Sequence, residues 1–121
     1  MAGTEKRQYL RGRCNCTAQV IVDENAKERV RIFVVDLSAG GLKFKAKIAN
    51  SEYKIGHFYL LKLSVNEPRV DIHDVLTNIK IHRIESVDEK TRSYGASFED
   101  LSEHKRSRID AFIRHKESRK Y

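Results

Sequence analysis

The sequence is short of several residue types, and each shortage excludes a class of protein. Its 121 residues include no tryptophan, one proline and two cysteines. With 40% hydrophobic residues and a single proline, the chain is predicted to fold as one domain rather than to be disordered. No apolar run approaches the roughly 20 residues of a membrane-spanning helix, and residues 1–13 lack the apolar block of a signal peptide. We therefore expect a cytoplasmic protein without membrane insertion.

The two cysteines, Cys14 and Cys16, are separated by one residue. An extended backbone would hold their Cα atoms near or beyond the limit for a disulfide, so we expect two free thiols in a reducing compartment. The five histidines are scattered singly, so the sequence offers no ligand set for zinc, and no nucleophile can be matched with a base. We expect neither a metal site, nor a cofactor, nor an enzyme.

Positive charge exceeds negative charge, with 24 lysines and arginines against 17 aspartates and glutamates and a formal net charge of +7. The expected partners are therefore anions, which include nucleotides, nucleic acids and acidic protein surfaces. Composition alone does not distinguish among these three kinds of partner.

Alternation of polar and apolar residues predicts six strands followed by one helix. The predicted strands are residues 13–22, 28–35, 42–47, 57–65, 70–84 and 93–99. Ile109, Phe112 and Ile113 then repeat at helical spacing behind Ser102, a suitable N-cap. Since closing a sheet removes its exposed edges, this order predicts a mainly β fold, a six-stranded antiparallel barrel with a C-terminal α-helix.

Two details of this pattern stay open. In the fourth predicted strand, Phe58 and Leu60 compete with Leu61 and Leu63 for the core, so its register is not fixed. In the fifth, Val75, Thr77, Ile79 and Ile81 share one side. Its alternation slips near residues 73–74, which predicts a bulge there.

A short polar segment that ends in two glycines lies between the second and third predicted strands. It reads Asp36-Leu37-Ser38-Ala39-Gly40-Gly41, and we call residues 36–41 the motif segment. In an extended backbone Asp36 and Ser38 point to the same side, and Gly41 lets a ligand approach the main chain. An ordinary turn stabilised by the Asp and Ser side chains is the alternative interpretation.

Two arginines, Arg7 and Arg11, are separated by three residues in the polar, basic segment 1–12. With the motif segment they form the pattern R-x-x-x-R followed by D-x-S-x-x-G. This pair of patterns resembles the PilZ domain family, bacterial receptors for the second messenger cyclic di-GMP. Residues 94–101 also resemble the last strand and the start of the helix in that family, and the resemblance covers nearly the whole chain.

The resemblance implies a PilZ-type barrel and divides the chain into three parts. Residues 1–12 would be a flexible N-terminal arm carrying the two arginines, residues 13–116 the barrel with its helix, and residues 117–121 a basic tail. Because ordering the arm costs free energy, we expect its ordering by the ligand to be the switch that a downstream protein partner reads.

The resemblance further implies that cyclic di-GMP is bound by Arg7, Arg11, Asp36, Ser38 and Gly41. The planar guanidinium groups suit the O6 and N7 atoms of guanine, or two phosphate oxygens. An ionised Asp36 carboxylate only accepts hydrogen bonds, which suits the N1–H and N2–H groups of guanine. The Ser38 hydroxyl can donate or accept one hydrogen bond.

Secondary ligand contacts are expected from three further residues. Lys6 directly precedes Arg7 and could reach a second stacked ligand molecule, with a solvated lysine as the alternative. Gly40 lies beside Gly41 and would let the ligand sit close to the backbone. Ile81 could offer an apolar surface to a guanine, with core packing as the alternative.

Two other functions fit the same fold. A small basic barrel that binds RNA or single-stranded nucleic acid would need aromatic stacking groups along a basic groove. The chain has no tryptophan, and most of its tyrosines and phenylalanines occupy predicted core positions, which argues against nucleic acid. The other alternative is an adaptor of the same fold that binds no nucleotide, and the presence of all five motif residues argues against it.

Overall fold

The computed structural model describes residues 12, 16–23, 28–49, 52–67, 70 and 72–118. The elements in chain order are β1 (Cys16–Asp23), β2 (Glu28–Leu37), β3 (Gly41–Lys47), β4 (Phe58–Val65), β5 (Val75–Ser86), β6 (Thr91–Phe98) and α1 (Glu103–Ser118). The strands are antiparallel and close into a barrel in the order β1-β2-β3-β6-β5-β4. The predicted antiparallel barrel with a C-terminal helix is therefore confirmed.

The barrel closes because β3 pairs with β6 rather than with β4, the next strand in the chain. The connection from β3 to β4 carries Tyr53 into the core, where its ring packs edge-on against Phe44, Tyr94 and Tyr59 at centroid distances of 5.6, 5.1 and 5.0 Å. Phe44 and Tyr94 stack on each other at 5.1 Å. Each such pair adds about 0.5–1.5 kcal/mol beyond the burial of its area. The aromatic cluster thus links β3, β4 and β6.

Alternate residues of the strands face the interior, as the sequence pattern predicts. The buried residues of β5 are Val75, Thr77, Ile79 and Ile81, the four predicted to share one side. On β4 the register is settled by Leu61 and Leu63, which are fully buried, whereas Phe58 is 58% exposed. The apolar face of each strand therefore fills one continuous core.

The bulge predicted near residues 73–74 agrees with the backbone there, because Leu63 pairs with Val75 whereas the Val65 amide donates to Ile72 O, so segment 72–75 carries one extra residue. Asp74 has a positive φ of 50°, a conformation that Asp tolerates better than most residues, and β5 begins only after it, at Val75. The Asp74 amide donates to Ser64 Oγ at 2.8 Å, which stabilises this sharp bend. A second irregularity lies within β5 itself, where its register against β6 shifts between Ile81 and Arg83.

The helix α1 begins where the sequence predicts and packs against the barrel. The Ser102 hydroxyl accepts a hydrogen bond from the Lys105 amide at 3.3 Å, which confirms Ser102 as the N-cap. Ile109 and Ile113 are fully buried, and Lys116 Nζ lies 2.7 Å from Glu67 Oε2 at the far end of the helix. Because α1 continues to Ser118, the first two residues of the predicted tail belong to the helix, and residues 119–121 lie outside the described part.

The expectation of two free thiols is wrong for Cys16, which is disulfide-bonded. The expectation rested on an extended backbone between the two cysteines, and residues 13–15 lie outside the described part of the chain. Cys14 lies outside the described residues.

The described part of the chain contains one helix, α1. That helix is not long and apolar enough to cross a membrane.

The segment between β6 and α1 is fixed to β5 by Asp100. Its Oδ1 accepts hydrogen bonds from Thr77 Oγ1 and from the Asn78 amide, both at 2.7 Å, and its Oδ2 accepts one from Asn78 Nδ2 at 2.9 Å. These hydrogen bonds lower the pKa of Asp100 below its usual 3.8, and the bond from the Thr77 hydroxyl contributes most. The ionised carboxylate therefore helps to set where α1 starts.

We predict that Asp100→Asn lowers the free energy of unfolding near neutral pH and that its difference from the wild type shrinks in acid. Because the folded-state pKa lies below the unfolded value of 3.8, the stabilisation is present above that pH and is lost as the pH falls through the folded-state pKa. Urea unfolding at about pH 7 and about pH 2.5 measures the difference. Glu89→Gln in the exposed turn after β5 controls for the loss of a negative charge, and a difference that is the same at both pH values would contradict the prediction.

Candidate functional site

The last four residues of the motif segment form a tight turn between β2 and β3. The Ser38 amide donates to Gly41 O at 2.9 Å, and the Gly41 amide lies 3.4 Å from Ser38 O. The Ser38 hydroxyl accepts from the Gly40 and Gly41 amides, both at 3.2 Å, and donates to Gly41 O at 3.3 Å. Its donor and both acceptor positions are thus engaged, so a ligand that accepts from Ser38 must replace the weak bond to Gly41 O.

Gly41 is required by the barrel itself. A Cβ atom at this position would lie 2.1 Å from the carbonyl oxygen of Ala96 on β6, a distance that no side chain can occupy. Close contact between β3 and β6 is therefore a reason for the glycine that the sequence did not reveal.

Asp36 lies on a strand rather than in the turn, because β2 continues to Leu37. Leu37 is fully buried and forms an isolated antiparallel bridge with Gly12, with N–H to O distances of 2.9 and 2.8 Å. The register of β2 against β3 shifts between Val34 and Asp36, and Asp36 pairs with Lys43. The bridge therefore holds Gly12 against Leu37, which lies between the two polar residues of the motif segment.

A cavity of about 240 Å³ lies beside the motif segment. Asp36, Ser38, Gly40 and Gly41 line one side of it, and residues of β5 and β6 line the other. The sequence-predicted residues of the described part thus meet at one cavity, with the exception of Ile81. That side chain is fully buried in the core and offers no surface to a ligand.

Two cations border this cavity. Lys43 of β3 pairs with Gly95 of β6, and Gly95 pairs in turn with Arg83 of β5. Gly95 therefore places no side chain between the two cations. Arg83 Nη1 lies 4.0 Å from Glu85 Oε1, an exposed pair that leaves most of the arginine charge available to an anion.

A hydrogen-bonded chain of His82, Ser97 and Glu99 lies on the β5 and β6 side. Ser97 Oγ lies 2.5 Å from Glu99 Oε2 and 2.6 Å from His82 Nε2. An ionised carboxylate can only accept, so the single hydroxyl hydrogen of Ser97 points to Glu99, and His82 Nε2 donates to Ser97. In this arrangement the Ser97 hydroxyl donates to Glu99 and not to His82.

Sequence reasoning missed Arg83, His82, Gly95 and Ser97 as residues of the cavity. The available signal was the break in alternation after Ile81, which turns both His82 and Arg83 outward. Arg7, Arg11 and Lys6 lie outside the described residues. Among the described residues, no group of three or more His, Cys, Asp or Glu side chains could hold a metal ion.

Comparison with known proteins gives a family and a fold. The family model described as PilZ domain matches residues 5–115. A search of the curated proteins gave no match.

Solved structures share the fold at low sequence identity. The structure of the inhibitor of motility MotI/DgrA from Bacillus subtilis is 16% identical with a TM-score of 0.79, over 98% of this chain and 54% of that one. The PilZ domain with c-di-GMP of YcgR from Escherichia coli is 17% identical with a TM-score of 0.62, over 96% and 97%. The MrkH–c-di-GMP complex from K. pneumonia is 12% identical with a TM-score of 0.67, over 98% and 57%. The chain thus spans about half the length of MotI/DgrA and MrkH, and these identities show the fold alone.

We predict that Gly41→Ala lowers the free energy of unfolding by more than about 2 kcal/mol, because the added methyl group meets backbone that cannot move aside. Gly95→Ala is the matched control on the neighbouring strand. Its Cβ would lie 3.5 Å from Arg83 Cβ, an ordinary contact, so we expect a change within about 1 kcal/mol. Chemical denaturation measures the free energy of unfolding of both variants. If the two variants are equally stable, close packing against β6 is not the reason for a glycine at residue 41.

Proposed function

Because the chain belongs to the PilZ domain family, we propose that it is a receptor for cyclic di-GMP. The observation that carries the proposal is the bridge between Gly12 and Leu37. Arg11 directly precedes Gly12 in the chain, so the Cα atoms of the two residues are about 3.8 Å apart. Gly12 in turn is hydrogen-bonded to Leu37 of the motif segment. The bridge thereby supports convergence of the arginine pair with Asp36 and Ser38.

The chemistry of cyclic di-GMP matches the groups around the cavity. The ligand has two phosphodiesters, which need cationic partners, and two guanines, whose O6 and N7 atoms accept while N1–H and N2–H donate. In the proposed complex the guanidinium groups of Arg7 and Arg11 bind guanine edges or phosphate oxygens as planar forks, and the Asp36 carboxylate accepts from a guanine. Lys43 and Arg83 add positive charge at the rim.

The size of the cavity supports a role for the N-terminal segment. At about 240 Å³ it is smaller than the roughly 300–1,000 Å³ of a typical ligand pocket, whereas a cyclic dinucleotide is a large ligand. The described residues would therefore enclose only part of the molecule. In this proposal residues 1–11 cover the rest, and Lys6 and Gly40 make secondary contacts.

Covering the ligand would also produce the signal. Ordering several residues costs about 1–2 kcal/mol each, which offsets part of the contact energy and makes closure depend on ligand. The surface made by the closed segment, the nucleotide and the barrel is then available to a downstream protein partner in the cytoplasm. We propose binding rather than catalysis, and the direction of the hydrogen bonds from His82 through Ser97 to Glu99 supports this.

We predict that Arg11→Ala and Asp36→Ala each weaken cyclic di-GMP binding by about 30-fold or more, since a charge-assisted hydrogen bond contributes about 2 kcal/mol. Isothermal titration calorimetry measures affinity and stoichiometry together. The thermal midpoint of the ligand-free protein should stay nearly unchanged in both variants. A comparable loss of stability would assign these residues to the fold instead of the ligand.

We predict a smaller loss of affinity for Lys43→Ala than for the two motif variants, because this lysine supplies charge at the rim rather than a directed fork. Lys45→Ala is the matched control, since Lys45 lies on the same strand but does not line the cavity.

Titration of the wild type with single-stranded RNA at two salt concentrations tests the nucleic-acid alternative. Tighter binding of RNA than of cyclic di-GMP, with a steep dependence on salt, would overturn the receptor proposal.

A further inference from the structure

The turn formed by residues 38–41 is held from outside as well as from within. Two of its four backbone carbonyls accept hydrogen bonds inside the turn. The carbonyl of Gly40 accepts from the Phe98 amide at the end of β6, at 2.9 Å. The carbonyl of Ala39 accepts from Arg106 Nη1 on α1, at 3.0 Å. The segment that lines the ligand cavity is therefore attached directly to the C-terminal helix.

The hydrogen bond from Arg106 to the Ala39 carbonyl is partly buried. Ala39 is fully buried, and the Arg106 side chain is only 17% exposed. Glu103 Oε1 lies 3.7 Å from Arg106 Nε and helps to orient the guanidinium group. A charged donor makes a bond roughly twice as strong as a neutral one, and its removal would leave a buried carbonyl without this donor.

The rest of α1 is held by contacts that do not involve the turn. Ile109 and Ile113 pack in the core, and Lys116 contacts Glu67 at the opposite end of the helix. The first turns of α1 and the motif segment can therefore respond to each other while the remainder of the helix stays docked.

We propose that Arg106 is a positioning residue that couples occupancy of the cyclic di-GMP site to the docking of the first turns of α1. The inference rests on the proposed function. A ligand that restrains residues 38–41 also restrains the Ala39 carbonyl, so it strengthens the contact with Arg106. Because coupling between two sites is reciprocal, the same contact strengthens binding of the ligand. The start of α1 is then a second place where a partner can sense the ligand.

The test combines affinity with amide hydrogen exchange on the full chain. We expect cyclic di-GMP to slow exchange in peptides covering residues 103–110 of the wild type. Arg106→Ala should bind about fivefold or more weakly and lose this ligand-dependent protection. Arg106→Lys, which keeps a cationic donor, should restore part of the affinity and part of the protection at residues 103–110. If the alanine variant does not fold, the lysine variant tests the coupling in its place.

Lys116→Ala is the matched control, because it removes the contact with Glu67 at the other end of the same helix. It should speed amide exchange in residues 111–118. It should change the affinity for cyclic di-GMP by no more than about twofold and leave the ligand-dependent protection at residues 103–110 intact. Equal weakening by Lys116→Ala would assign the effect to general loosening of the helix and overturn the inference.

The outcomes separate the two proposals. Wild type that does not bind cyclic di-GMP overturns the receptor function and this inference with it. Wild type that binds without protecting residues 103–110, or an Arg106→Ala variant that binds and is protected like the wild type, overturns the coupling alone.

Discussion

The contact between Gly41 and β6 is the constraint on which the rest of the structure depends. A Cβ atom at Gly41 would lie 2.1 Å from the Ala96 carbonyl oxygen, so the first residue of β3 can approach β6 this closely only because it is a glycine. The pairing of β3 with β6 joins the first three strands to the last three and closes the barrel. It also fixes the turn before β3, which brings the motif segment beside β5 and β6. The absence of a side chain at Gly41 thus allows close contact with β6 and also sets the position of the motif segment.

The site has two halves of different origin. One half consists of strand and turn residues, where the Ser38 hydroxyl and the surrounding amides form a closed set of hydrogen bonds. In the proposed complex the other half consists of the arginines that precede Gly12. A hydrogen-bonded turn completed by cationic groups from a separate segment would suit a receptor, because affinity would then depend on an ordering step as well as on contacts.

The sequence predicted the barrel, the helix and its N-cap, and the patterns that carry the family resemblance, because each depends on local spacing. It did not predict Arg83 or Gly95 as residues of the cavity. They reach it only through closure of the barrel, and the register shift between Ile81 and Arg83 reverses the face on which later residues of β5 lie. Alternation alone would have turned Arg83 inward with Ile81. The same kind of break, a positive φ at Asp74, explains why β5 starts later than predicted.

The bridge at Gly12 also bears on how affinity depends on concentration. Arg7 is five residues from Gly12, so in any conformation its Cα atom remains within roughly 18 Å of the barrel. Both arginines are therefore present at an effective concentration in the millimolar range, however dilute the protein is. In the proposed receptor, completion of the site is therefore an intramolecular event.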